Sequence, residues 1–248
     1  MDTLKKHELT YKPFGNAAIL IEWPSEMHDS ILKDLLSFYN TIQRNKIAAI
    51  VETIQSINSL TIIYDPQLIH FEEMKQWLIA LYKKETTENT PVAYYVWKIP
   101  VCYDTRFGVD LAEISDKTMI SIPKVIELHT KTAYRIYSIG FLPGFLYLGG
   151  LDSRLHIDRK PSPRLEVPKG AVGIGGMQTG IYPRTSPGGW QILGNTPISF
   201  FDTSTSIPCF AKAGDKIQFT PISYQEYVHM QTQVANEEYF IEKEVFYD

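Results

Sequence analysis

The stretch from Gly173 to Asn195 reads GIGGMQTGIYPRTSPGGWQILGN. Short β-like runs alternate there with glycine and proline punctuation, which points to a mostly-β region of tight turns rather than to helix. Working outward, 12 of the 15 glycines of the chain fall between Gly140 and Asn195. Glycine permits positive φ and close backbone approach but loses entropy when ordered, so this density indicates loops shaped for a ligand as well as the turns of a small barrel. The same window holds Arg154, Arg159, Lys160, Arg164, Lys169 and Arg184 against Asp152, Asp158 and Glu166, a local charge of +3 in a chain of −4. A carboxylate or another anion would be favoured there. Arg164 and Arg184, bracketed by Pro, Ser or Thr, are the cations expected to be held stiffly; the others read as solvated surface.

Upstream of the window the pattern changes. A strand is expected at Ala133 to Ile139, preceded by helical segments at Leu111 to Ser115 and Ile122 to Lys131. Residues 8 to 97 read as strand, helix, strand, strand, helix, strand, beginning with Leu9 to Phe14 and Ala17 to Trp23, the split βαβ pattern. The first helix starts near Ser25, with Ile31, Leu32, Leu35, Leu36, Tyr39 and Ile42 on one face. Asp65 and Pro66 are expected to open the second, whose core stripe is Phe71, Met74, Trp77, Leu78 and Leu81. Lys83 to Thr90 ends it, and Pro91 to Pro100 supplies a last strand for the same sheet. Two domains follow: an α+β domain over residues 1–97 and a mostly-β domain over 98–248.

Composition narrows the function classes. The 44% hydrophobic content is that of a chain with a substantial core. The net charge of −4, with scattered Lys and Arg, gives no basic field for nucleic acid. No apolar run approaches a membrane span and Met1 to Lys12 lacks a signal-like apolar region, so a cytoplasmic location is expected. Cys102 and Cys209 lie far apart in apolar contexts and read as free thiols. Gly175 to Gly180 has the glycine spacing of a P-loop, but Ile181 and Tyr182 stand where Lys and Ser or Thr would be needed. Ser186 is not on a nucleophile elbow, and no His or Cys cluster has metal-ligand spacing. His129 closes a helix just before the window; it is a candidate acid, base or hydrogen-bond donor, or simply a histidine favoured by the helix C-terminus.

Four ordered blocks are more specific: FLPGFLYLGGL over 141–151; Pro163-Arg164 with Val167-Pro168; Gly173 to Pro183; and SPGGWQILG over 186–194 with Thr196-Pro197. Together with the preceding His129 they resemble the B-subunit family of 5-oxoprolinase, which includes the kinase inhibitor KipI and has also been labelled allophanate hydrolase subunit 1. Leu146 stands where proline is common in that family. The resemblance implies a ferredoxin-like α+β domain followed by a cyclophilin-like β-barrel domain, and a heteromeric complex with the A and C subunits. It also implies ATP, used at the level of the complex, to activate the lactam carbonyl of 5-oxoproline for hydrolysis to glutamate, with this chain inactive alone. On that reading His129, Gln178 and Tyr182 are the catalytic candidates, Arg164 pairs with the substrate carboxylate or a phosphate, and Phe141, Phe145, Ser186 and Trp190 complete the pocket; Phe141, Phe145 and Trp190 also read as aromatic core. Two alternatives share the resemblance: an inhibitor docking on a sensor histidine kinase, and a carboxyltransferase-like component of a urea or allophanate pathway.

Overall fold

The computed structural model describes residues 6–84 and 93–247, and the chain divides into two compact units, Met1–Pro91 and Val92–Asp248. The first unit contains β1 (Thr10–Pro13), β2 (Ala18–Glu22), α1 (Asp29–Asn45), β3 (Ile50–Gln55), β4 (Ser59–Tyr64) and α2 (Phe71–Lys84). Its four strands form an antiparallel sheet in the order β1-β2-β4-β3. Alternation buries Ile19, Ile21, Leu60 and Ile62 on the face that meets Ile31, Leu35, Phe38 and Ile42 of α1 and Met74 and Leu78 of α2. One polar residue sits inside this core: Asp34 is fully buried and accepts hydrogen bonds from the Trp23 indole and the Tyr82 hydroxyl.

The structure differs from two expectations for this unit. Asp65 does not cap a helix; its carboxylate accepts the N–H of Gln67 at 2.9 Å, a local turn, and α2 starts at Phe71. The strand expected to complete the sheet is formed, but as β5 (Ala93–Cys102) it pairs in the second unit, and β1 occupies the edge beside β2 instead. The reason lies in burial. From Val96 to Cys102 successive residues of β5 are mostly buried on both faces, which a sheet with one exposed face cannot provide. The segment 85–92, where the sequence predicts the end of α2 and the start of that strand, lies outside the described residues.

The second unit continues with α3 (Leu111–Thr118), α4 (Ile122–Lys131), β6 (Ala133–Ile139), β7 (Leu146–Gly149), β8 (Arg164–Val167), β9 (Ala171–Gly175), β10 (Gln178–Ile181), β11 (Ser186–Gly188), β12 (Gln191–Asn195), β13 (Lys216–Ile222), α5 (Tyr224–Ala235) and β14 (Lys243–Tyr247). Seven strands run β12-β9-β10-β7-β6-β13-β5, and the pairing of Asn195 with Cys102 closes them into a barrel. β13 lies parallel to β5, β14 lies antiparallel to it, and β8 and β11 form a separate two-stranded ribbon. Ile99, Val101, Leu146, Leu148, Val172, Ile174, Ile181, Leu193 and Phe219 fill the barrel. The run with P-loop glycine spacing is the β9–β10 hairpin. Gly176, with φ of 62°, supplies the first position of its two-residue turn, where a hairpin of this type requires glycine. Cys102 and Cys209 are free thiols, and among the described residues no helix is long and apolar enough to cross a membrane.

Candidate functional site

Because side chains alternate along a strand, the residues between the barrel-filling positions face outward. On β9 these are Gly173 and Gly175, on β10 Gln178 and Gly180, and on β7 Tyr147, which stands directly opposite Gly180. The three glycines leave a shallow bed, and Trp190 lies in it. A Cβ at Gly175 would be 3.0 Å from the indole, and one at Gly180 2.9 Å from it. Phe145 meets both Trp190 and Tyr182 edge-on, with ring centroids 5.6 and 5.3 Å away. Val167, Ala171, Ile192 and Leu142 close this second, smaller core outside the barrel. Much of the glycine in the window therefore accommodates aromatic rings.

Phe141 stands at the rim, 67% exposed, with φ of 67°. A bulky residue in the left-handed region costs of order 1–3 kcal/mol, a strain carried here by an exposed aromatic beside an aromatic cluster. Its ring meets Phe145 edge-on at 5.8 Å. Tyr182 is buried, and its hydroxyl lies where a Cβ on Gly188 would clash. Burial raises its pKa, an effect opposed by a hydrogen bond with the Trp190 backbone and by the nearby Arg159 and Arg164 charges. Tyr147, half-buried, is raised in the same way, with Arg159 opposing. Ser186 is buried in the ribbon, where it pairs with Val167 and its hydroxyl donates to the Pro187 carbonyl at 3.3 Å. The side-chain amide nitrogen of Gln178 is buried with no partner.

Arg164 is placed beside this cluster but is already engaged. Its guanidinium bonds the Asp110 carboxylate at 2.5 Å and the Trp190 carbonyl at 3.4 Å. Asp110, 2% exposed, also meets Lys160 at 3.1 Å and accepts the Ile192 N–H at 2.7 Å. Lys160 in turn pairs with Glu113 at 2.6 Å. Burial alone would lower the Lys160 pKa, but Glu113 and Asp110 outweigh it and raise it. Glu113 is held down to about 2 by Lys117 and Lys160. This network fastens the β8 ribbon and the 158–160 segment to α3 and β12. Asp110 carries no signal in the sequence, since its partners lie 50 or more residues away. Arg164 thus has the geometry of a positioning group, its charge opposed before any substrate arrives.

His129 is separated from the aromatic face. It lies inside the barrel, fully buried and stacked on Phe219 with centroids 4.7 Å apart. Thr179 donates its hydroxyl proton to the Gly173 carbonyl at 3.0 Å, so its oxygen accepts from His129 Nε2 at 2.9 Å. That fixes the tautomer: Nδ1 accepts from the Tyr103 hydroxyl at 2.7 Å. A helix C-terminus favours a charged imidazole, but burial prevails and lowers the pKa to about 3. The ring is a neutral link joining α4, β10 and Tyr103, with both nitrogens occupied. Phe141, Phe145, Gln178, Tyr182, Ser186, Arg164 and Trp190 are therefore brought to one outer region, and His129 is not. The β9–β10 hairpin does not lead into a helix and lacks a lysine, so the residues present do not fit a nucleotide phosphate. Among the described residues no group of His, Cys, Asp and Glu could hold a metal ion.

The chain carries a carboxyltransferase-type region: residues 9–211, from the first unit through β12 of the barrel, match the family described as "Carboxyltransferase domain, subdomain C and D". Among curated proteins, the B subunit of 5-oxoprolinase from Bacillus subtilis is 36% identical over 86% of this chain and 92% of its own length, and that from Haemophilus influenzae 35% over 84% and 95%. The chain belongs to the B-subunit family of 5-oxoprolinase. It is also 27% identical to the urea amidolyase of Saccharomyces cerevisiae, covering 15% of that longer protein. Among solved structures, TTHA0988 superposes with a TM-score of 0.73 at 30% identity over 83% of this chain and 40% of that one. The urea carboxylase of Kluyveromyces lactis superposes with a TM-score of 0.84 over 100% of this chain and 25% of that one, at 22% identity, a likeness of fold.

Proposed function

We propose that this chain is the B component of an ATP-dependent 5-oxoprolinase that opens the lactam of 5-oxo-L-proline to L-glutamate in the cytoplasm, in a complex with the A and C subunits. The observation that carries the reading is the similarity to 5-oxoprolinase B subunits over nearly their whole length. The outer face supports it chemically. A small planar amide suits an aromatic bed, and its carbonyl oxygen suits a site whose buried Gln178 amide lacks an acceptor. In this reading Phe145 and Trp190 wall the pocket, Phe141 covers its rim, and Gln178 and Tyr182 donate to the lactam oxygen. Arg164 and Ser186 hold the ribbon in place, and His129 fixes Thr179 and with it the outward register of Gln178. ATP is bound elsewhere in the complex, and the chain alone is inactive. We read the first unit as a ferredoxin-like variant and the barrel as cyclophilin-like; neither label transfers an activity.

Reconstitution with homologues of the A and C subunits tests the proposal. The complete complex is expected to release glutamate and ADP together, and this chain alone neither. Gln178→Ala is expected to lower turnover at least about ten-fold, the loss of a donor to a developing oxyanion. Absence of 5-oxoproline turnover in a soluble, assembled complex refutes the assignment, and near-normal activity of Gln178→Ala removes that residue from the site.

A further inference from the structure

The cations of the glycine-rich window are not equivalent. Arg154 is paired with Asp152, Lys160 with Glu113 and Asp110, and Arg164 with Asp110. Among the described residues no carboxylate pairs with Arg159. It is nevertheless not a loose surface side chain. Its guanidinium carbon sits 5.5 Å from the centroid of Trp190, on a ring that the β9 and β10 glycines hold from below. The backbone on either side is fixed as well. Ile157 bridges to Gly176, the Asp158 carbonyl accepts from the Gln191 amide at 3.3 Å, and the Lys160 N–H bonds the Gly189 carbonyl at 2.6 Å.

Among the described residues two buried side-chain atoms of β10 and β12 lack a partner, the Gln178 amide nitrogen, a donor, and the Gln191 carbonyl oxygen, an acceptor, while the five N–H donors of Arg159 are free. Tyr147 packs against the same indole, its ring centroid 6.4 Å from that of Trp190. A donor-rich, positively charged corner over a flat ring is complementary to a small planar molecule carrying a carboxylate. We propose that Arg159, held over the Trp190 ring against which Tyr147 also packs, is the carboxylate-recognition group of this site, a role that Arg164 cannot fill because its charge is already opposed by Asp110. The choice of 5-oxoproline as the ligand rests on the 5-oxoprolinase reading; the anion specificity does not.

The experiment uses the reconstituted complex and, separately, the full chain. Arg159 is exposed, so Arg159→Ala leaves the fold intact. Losing one charge-assisted contact made alike in ground and transition states raises KM about ten- to hundred-fold with kcat changed less than about three-fold. Arg159→Lys, which keeps the charge but not the fork, recovers part of that loss. For the full chain the probes are cyclopentanecarboxylate, which keeps ring and charge, and 2-pyrrolidinone, which keeps the lactam without the charge, followed by the Trp190 indole resonance. Arg159→Ala is expected to abolish the response to the first and preserve the response to the second. A KM within about two-fold of wild type, or equal responses of Arg159→Ala and wild type to cyclopentanecarboxylate, overturns the inference. A complex without 5-oxoproline turnover whose chain still shows the Arg159-dependent carboxylate response overturns the functional reading alone.

Discussion

Replacing Asp110 by asparagine changes one atom type in the network that fastens the ribbon to the barrel. The retained oxygen still accepts the Ile192 N–H, so that bond is kept. The new amide, however, presents donors to Arg164 at 2.5 Å, which loses its negative partner, and to Lys160 at 3.1 Å, which keeps only Glu113. Removing one member of a buried ion pair costs about 3–5 kcal/mol. The side chains of Arg164 and Lys160 are 30% and 17% exposed, so water recovers part of that, and we expect a loss of about 2–3 kcal/mol. Because the chain has two units, a readout local to the network separates this loss from the stability of the other unit. Exchange of the Ile192 amide hydrogen is such a readout, since this proton is bonded to Asp110 itself; its protection should fall about thirty- to 160-fold. Adding Arg164→Gln should restore at least about 1 kcal/mol by removing the orphaned cation. Unchanged protection in Asp110→Asn, or strictly additive effects in the double variant, would show that the network does not hold the ribbon.

The other predictions concern the barrel and its rim. His129 has a pKa of about 3 when folded, below its unfolded value near 6.5. The unfolded chain therefore takes up a proton that the folded one refuses, and stability falls as pH drops below about 6.5. At pH 5 the contribution is a loss of about 2 kcal/mol, which His129→Gln should remove in denaturant titrations at pH 7 and 5. Gly180→Val should cost about 1–3 kcal/mol or more by forcing Trp190 and the Leu146 carbonyl apart, with a visible change in near-ultraviolet circular dichroism. Phe141→Gly should keep or raise the melting temperature by relieving a left-handed backbone while lowering turnover in the complex; a lower melting temperature with full activity contradicts the functional reading of that strain.

Much of the fold is legible locally. The stripe from Ile31 to Ile42 places α1, although Phe38, buried at its centre, lies outside that stripe as read from the sequence, and His28 rather than a residue near Ser25 caps it. The limits of α4 and β6 agree with their periodicity and with the break between them. The destination of β5 is not written in its own residues, because a strand of Val, Tyr and Trp suits either sheet; its distant partners β13, β14 and β12 decide it. The site divides in the same way. The glycine pattern locates the aromatic face because glycine must lie beneath Trp190. That Arg164 is opposed while Arg159 is not depends on Asp110, an ordinary acid at the start of a helix, and on a contact across more than 50 residues. His129 belongs to the interior only because Thr179 and Phe219, distant in the chain, enclose it.

The arrangement of β5 also governs how the second unit can be built and rebuilt. Ala93 stands opposite Tyr247 in the β14–β5 register, so the strands that begin and end this unit are neighbours at one edge. A short linker there, with new termini in the exposed turn at Met177, would give a circular permutant that keeps every strand pairing. The parallel pairing of β5 with β13 gives the natural connectivity a different kinetic character: the first strand of the barrel must wait for one of the last, so closure is a late, high-contact-order event. The permutant shortens that separation but makes the β9–β10 and β9–β12 pairings, local in the natural chain, long-range in turn, so it should reach the same barrel by a different order of strand closure.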